Sequence, residues 1–228
     1  MTGRDPFWAL VPVRALKDGK HRLSPFLSPD ERALLVRSML EDGLDALRRC
    51  AAIDTVAVVT GDAEAAEVAA EYGAVVLPES PVGGLNPSLE GARAWLLAGC
   101  PRAHVLMMPA DLPGVTPAEL EATVLAERAD VVLARSTDGG TNAMVLRPVA
   151  SLPFGFGPDS CRRHADAARA GGRSVAVVDS PGLAPGLALD LDRPADLAAY
   201  LRRGGASRTL GLLHRLRIPD RLAVGAAP

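Results

Sequence analysis

Three acidic signatures stand beside predicted strands. Ala110-Asp111-Leu112-Pro113 follows the apolar run His104 to Met108, Asp138-Gly139-Gly140-Thr141-Asn142 precedes another apolar run, and Asp190-Leu191-Asp192 lies near the end of the α/β pattern. Open α/β sheets bind their ligands outside the carboxyl ends of the strands. Two or three acids meeting there would suit Mg²⁺, a hard cation with oxygen ligands that is commonly shared with substrate phosphates. Asp190 and Asp192 alternate around Leu191, which puts both on one face of an extended segment. An ordinary helix cap is the plainer role for Asp192, leaving Asp190 the better ligand. Asp111 is not needed as a cap, because Thr116 serves the helix that follows. The pattern is that of a metal-dependent enzyme acting on phosphates.

Other residues offer groups for such a substrate. The basic loop Arg14 to Arg22 follows the first strand. Its Lys20 and Arg22 could neutralise a triphosphate and its leaving group, the main lever in phosphoryl-type transfer; a solvated basic loop is the equal alternative. No G-x-x-x-x-G-K-[ST] loop is present. Gly83-Gly84-Leu85-Asn86 could bring backbone to a nucleobase, with Asn86 reading the base or ribose. Thr141, the Gly157 backbone N–H and Ser160 are small donors of the kind that hold a phosphate or carboxylate. Ser160 is also expected at a helix N-terminus, where anions are favoured. His164 is expected on the surface of that helix, outside the chemistry, and Cys161 has no activating base.

The elements that position these groups are legible as alternating strands and helices. Strands are expected at Phe7–Val11, Thr55–Thr60, Ala74–Leu77, His104–Met108, Val131–Ala134, Met144–Leu146 and Ser174–Val178. Ser28-Pro29-Asp30-Glu31 opens a helix with a cap, a first-turn proline and dipole-matched acids. Asp62–Tyr72, Pro87–Ala98, the segment from Thr116 and Pro194–Arg202 complete the helical set. The alternation implies an α/β, mostly parallel, doubly wound sheet with helices on both faces. Residues 1–203 form this domain. From Gly204 to Pro228, leucines mix with arginines, giving either a basic tail or a helix that docks on the domain or on a second subunit as a homodimer.

Composition narrows the class. The chain has 228 residues, 48% of them hydrophobic, enough for one α/β core built mostly from Leu, Val and Ala. A net charge of −2 argues against a nucleic-acid partner. Cys50, Cys100 and Cys161 are widely spaced and read as reduced thiols of a cytoplasmic protein. Neither a signal-peptide core nor a run of about 18 apolar residues is expected, so no membrane partner is implied.

Taken together, the motifs resemble the phosphoenolpyruvate/2-phospho-L-lactate guanylyltransferase family of coenzyme F420 biosynthesis. The carrying residues are Pro12-Val13-Arg14, Lys20-His21-Arg22-Leu23, Gly84-Leu85-Asn86, Pro109 to Pro113, Gly140 to Ala143, Phe156 to Ser160 and Asp190 to Leu197. The resemblance runs from about Trp8 to Leu201. It implies a Rossmann-like nucleotidyltransferase fold of the glycosyltransferase-A type. It also implies attack by a small phospho-carboxylic acid on the α-phosphorus of GTP, with pyrophosphate leaving. Mg²⁺ would be held by Asp111, Asp190 and Asp192, the triphosphate by Lys20 and Arg22 with Arg14 nearby, and the guanosine beside Gly84, Leu85 and Asn86. Thr141, Gly157 and Ser160 would hold the acceptor. Phosphoenolpyruvate is favoured over 2-phospho-L-lactate and 3-phospho-D-glycerate, because a GC-rich composition fits the actinobacterial branch. The product would pass to a deazaflavin transferase. Arg14 stands where Lys is usual, Gly19 where Ala is usual, and Pro87, in an Ala position, is expected to hold Asn86 extended. The alternatives are a nucleotidyltransferase of the molybdenum-cofactor type, whose N-terminal glycine-rich loop is absent, and a non-catalytic nucleotide-binding relative, which would have no need of clustered carboxylates.

Overall fold

A computed structural model describes residues 4–225. Seven strands form one sheet: β1 (Phe7–Pro12), β2 (Thr55–Thr60), β3 (Val75–Pro78), β4 (His104–Met107), β5 (Val131–Arg135), β6 (Thr141–Leu146) and β7 (Val175–Asp179). Their order is β3-β2-β1-β4-β6-β5-β7. β6 runs antiparallel to both neighbours, β4 and β5, and the other pairings are parallel. The sheet is therefore mostly parallel, as the alternation implies, with one reversed strand inside it. That strand begins at Thr141, so Thr141 and Asn142 open β6 rather than lying in a loop.

Side-chain alternation sorts the core into two layers. From β1, Ala9 and Val11 face one cluster and Leu10 the other. The first layer is covered by α1 (Pro29–Arg49), through Leu40, Leu44 and Leu47, and by α2 (Ala63–Glu71), through Ala65, Val68 and Ala69. The opposite face is covered by α3 (Leu85–Gly99), through Leu89, Ala92 and Leu96. There α5 (Ser160–Ala170) adds Cys161, Ala165 and Ala168. Helices thus lie on both faces. The helix starts follow local chemistry: Ser28 and Glu31 form a capping box at α1, and Thr116 and Glu119 form one at α4 (Pro117–Ala122).

Short helices α6 (Ser180–Leu183) and α7 (Pro185–Ala188) lead to the Asp190 segment, followed by α8 (Pro194–Arg203). Residues beyond Gly204 fold into α9 (Arg208–Arg215) and α10 (Ile218–Gly225). Leu210, Leu212, Leu213 and Ile218 join a third apolar cluster with Leu35 and Met39 of α1, Leu197 and Tyr200 of α8, and Leu23 and Leu191. Asp42 of α1 accepts the Arg208 and Thr209 backbone N–H groups at 2.9 and 2.8 Å. These contacts dock the two helices on their own chain and leave no basic tail over the described span.

Candidate active site

The strand order reverses direction at β1. The chain runs outward through β2 and β3, then returns to place β4 on the other side of β1. A crevice at such a switch point is where open α/β sheets bind ligands. Lys20 enters it from the loop after β1 and Asp111 from the turn after β4, while the extended segment after α7 brings Asp190 and Asp192. Leu191 is fully buried between these two acids, which anchors the segment and turns both carboxylates outward from the core. Its backbone N–H donates to the Asp111 carbonyl at 3.2 Å.

The three carboxylates converge: one oxygen from each of Asp111, Asp190 and Asp192 lies within 4.8 Å of the others. Asp138 is not in the group. Its Oδ1 accepts from Ser136 Oγ and from the Gly140 N–H at 3.0 Å, closing the β5–β6 hairpin, and these bonds hold its carboxyl below the usual range. Asp192 is spared the cap role considered above. Asp196 instead accepts the Asp192 and Arg193 N–H groups at 3.0 and 2.7 Å.

Lys20 stands at the centre of this charge. Its Nζ donates to Asp111 Oδ2 at 2.7 Å and to Asp192 Oδ1 at 2.5 Å, and its side chain is only 8% exposed. The backbone there is left-handed (φ 57°), an uncommon conformation for a residue with a β-carbon. Burial would lower the ammonium pKa, but the facing Asp111 and Asp192 carboxylates outweigh it and the net shift is upward. The loop is thus not solvated at Lys20, although Arg14 and Arg22 are exposed. Arg22 reaches Asp192 Oδ2 at 3.5 Å. Burial pushes the Asp190 carboxyl up to about 6, with the Asp111 carboxylate adding to the effect. The donor set fits a hard divalent cation: three carboxylate oxygens meet, and two of them already hold a positive group. Lys20, Asp111, Asp192, Arg14 and Gly19 also line a cavity of about 230 Å³. A β-carbon on Gly19 would stand 3.0 Å from Val36 Cγ2, so an alanine at this position would crowd α1.

Gly83 and Gly84 both have positive φ (70° and 89°), and α3 starts immediately after them. Asn86 is therefore helical rather than extended. Pro87 falls in the first turn, where its missing N–H needs no partner. The Asn86 amide is not free to face a ligand. Its Nδ2 donates to the Phe156 carbonyl at 3.0 Å and its Oδ1 accepts the Phe156 N–H at 2.7 Å. Leu85 is exposed and borders a second cavity with Arg14 and Glu79.

Across the sheet, Thr141 Oγ1 and Ser160 Oγ share a hydrogen bond at 3.0 Å, both side chains being buried. His164 is also buried, not on the surface as its sequence context implied. Its Nε2 accepts the Gly155 N–H at 3.0 Å, so the proton sits on Nδ1, 3.4 Å from Thr141 Oγ1. Burial, helped by Arg163, pushes this imidazole down to about 4. One bond between two hydroxyls leaves one hydroxyl hydrogen uncommitted. Sequence reasoning missed His164 because its partners, a loop backbone N–H at Gly155 and the Thr141 hydroxyl at the start of β6, come from segments whose approach no local spacing reveals.

Comparison with known proteins gives the family and the fold. The profile of the family described as "Guanylyl transferase CofC like" matches residues 7–226. The chain belongs to this family. Its match includes α9 and α10, beyond the limit of the motif resemblance. The chain is 39% identical over 215 residues to the 3-phospho-D-glycerate guanylyltransferase of Phenylobacterium zucineum, covering 92% of this chain and 96% of that one. It is 40% identical over 212 residues to the phosphoenolpyruvate guanylyltransferase of Nocardia farcinica (90% and 89% covered). It is 36% identical over 228 residues to the 2-phospho-L-lactate guanylyltransferase of Methanothermobacter thermautotrophicus (96% and 98% covered). Among solved structures, 4-diphosphocytidyl-2C-methyl-D-erythritol synthase superposes with a TM-score of 0.54 at 16% identity, covering 87% of this chain and 98% of that one. A Mycobacterium tuberculosis protein crystallised with manganese gives 0.51 at 19%, covering 88% and 100%. The CofC-like chain is thus a guanylyltransferase on a nucleotidyltransferase fold. None of its described helices is long and apolar enough to cross a membrane.

Proposed function

We propose that the protein condenses GTP with a small phospho-carboxylic acid in coenzyme F420 biosynthesis, releasing pyrophosphate. The observation that carries this reading is the meeting of Asp111, Asp190 and Asp192 around the buried Lys20 ammonium at the switch point. An acceptor phosphate oxygen attacks the α-phosphorus of GTP, the bond from that phosphorus to the α–β bridging oxygen breaks, and that oxygen leaves with pyrophosphate. Asp111, Asp190 and Asp192 would hold Mg²⁺, which would neutralise phosphate charge when bound. Lys20 turns from the carboxylates to the triphosphate, with Arg22 and Arg14 at its exposed rim. Gly84 and Leu85 lie by the guanosine. Asn86 adds backbone there, its side chain being bound to Phe156. The Thr141–Ser160 pair and the Gly157 N–H take the acceptor. No covalent enzyme intermediate is required.

Phosphoenolpyruvate is the favoured acceptor, in keeping with the composition and with the named activity of the Nocardia relative. The deciding experiment measures pyrophosphate release with GTP and Mg²⁺ and each of the three phospho-acids in turn, coupled to the deazaflavin transferase that consumes the product. Turnover with phosphoenolpyruvate is expected. Turnover only with another of the three would move the acceptor, and silence with all three would remove the reading.

A further inference from the structure

We infer that Asn86, Glu90 and His164 act as a clamp that sets the direction of the Gly157 N–H, making Asn86 a positioning residue for the acceptor rather than a reader of the base. Three successive backbone N–H groups are each taken by a side chain. Phe154 N–H goes to Glu90 Oε1 at 2.6 Å, Gly155 N–H to His164 Nε2 at 3.0 Å and Phe156 N–H to Asn86 Oδ1 at 2.7 Å. Asn86 Nδ2 also holds the Phe156 carbonyl. The next N–H, that of Gly157, has no hydrogen-bond partner in the protein among the described residues. Gly157 has φ 136°, a conformation open to glycine, and Asp159 is left-handed at φ 52°. Side-chain acceptors from outside the Phe154–Phe156 stretch take each of its N–H groups.

Asn86, Glu90 and Arg93 form one stripe of α3, spaced as i, i+4 and i+7. Arg93 extends the grip, donating from Nε to the Val149 carbonyl at 3.1 Å and pairing with Glu90 at 3.1 Å. A single helix thus carries the Gly83–Gly84 turn at its N-terminus and fastens the Phe154–Phe156 backbone along its side. His164 ties the same backbone to Thr141. The acceptor role of Gly157 rests on the function proposed above; the clamp itself rests on the hydrogen bonds alone.

The test uses Asn86→Ala and Asn86→Asp. Initial rates are measured with GTP and the acceptor varied separately, together with amide hydrogen exchange of Phe154 to Phe156 in substrate-free protein. Asn86→Ala should raise the acceptor KM about tenfold, the effect of losing roughly one hydrogen bond's worth of positioning. The GTP KM should stay within about twofold and Phe156 exchange should quicken. Asn86→Asp keeps the acceptor for Phe156 N–H and loses the donor to its carbonyl, so it should fall between. A raised GTP KM with an unchanged acceptor KM would make Asn86 a nucleotide reader and overturn the inference. Unchanged exchange in Asn86→Ala would overturn it too. Because exchange is read without substrate, it decides on the clamp even if the wild-type protein turns over none of the three acids, a result that would count against the proposed function separately.

Discussion

The Leu191 N–H and the Asp111 carbonyl, 3.2 Å apart, join two segments separated by 80 residues, and each segment carries part of the carboxylate cluster. The bond uses backbone only. The acids can therefore be altered without cutting the tie that brings them together, which makes isosteric substitutions clean probes.

Asp111→Asn should keep the fold and lower turnover by about 10²-fold or more, the scale of losing a group that stabilises transition-state charge. Pyrophosphate release, with circular dichroism as the control for folding, checks it. Near-normal turnover would take Asp111 out of the metal site.

Lys20→Met should separate the two tasks assigned to this ammonium. In the absence of GTP it should strengthen Mn²⁺ binding, because Asp111 and Asp192 lose their built-in cation; titration followed by electron paramagnetic resonance reads this directly. In the assay it should cost about 10²-fold or more in turnover, since the triphosphate loses its buried positive charge. Weaker metal binding would mean that Lys20 organises the carboxylates instead of competing for them.

His164 makes stability depend on pH. Its folded pKa is lowered from 6.5 to about 4, so the unfolded chain binds the extra proton between these values. Stability from this group is present in full above pH 6.5 and is lost as pH falls towards 4, a total on the order of 3 kcal/mol. His164→Gln should flatten that part of the profile in urea unfolding at stepped pH. An equal slope in both proteins would mean that the imidazole is not held neutral.

Gly186 is packed where no side chain fits. A β-carbon there would strike the Gly114 carbonyl oxygen and come within 2.7 Å of Val115 Cα, both on the chain that leaves Asp111. Gly186→Ala should destabilise the protein by about 3 kcal/mol, at the upper end for overpacking because backbone must move. Metal affinity should fall with it. Thermal unfolding with and without Mn²⁺ measures both, and an unchanged melting temperature would count against this packing.

Much of the site was legible because its signals are local. Asp111 follows an apolar run, Asp190 and Asp192 flank a leucine that has to be buried, and the caps at Ser28 and Thr116 are fixed by residues three positions apart. What was not legible depends on partners far along the chain. Asn86 reads as an exposed loop amide until Phe156, 70 residues on, takes both its polar atoms. His164 reads as a surface residue until Gly155 and Thr141 enclose it. The reversal of β6 leaves no mark on its own sequence, since a buried strand is apolar in either direction. The helices after Gly204 looked equally like a basic tail, because their arginines are visible in sequence while the α1 surface awaiting their leucines is not.

The reversed strand also divides the molecule's capacity for change. The carboxylates and Lys20 hang from β1, β4 and the segment after α7, whereas Thr141 opens β6, Gly157 lies in the loop before α5 and Ser160 starts α5. A hairpin can be reshaped at its turn while the parallel half beside it keeps its register. On the function proposed above, such a layout would let a lineage exchange one phospho-acid for another without rebuilding its nucleotide chemistry; relatives at 36%, 39% and 40% identity bear the names of three different acceptors.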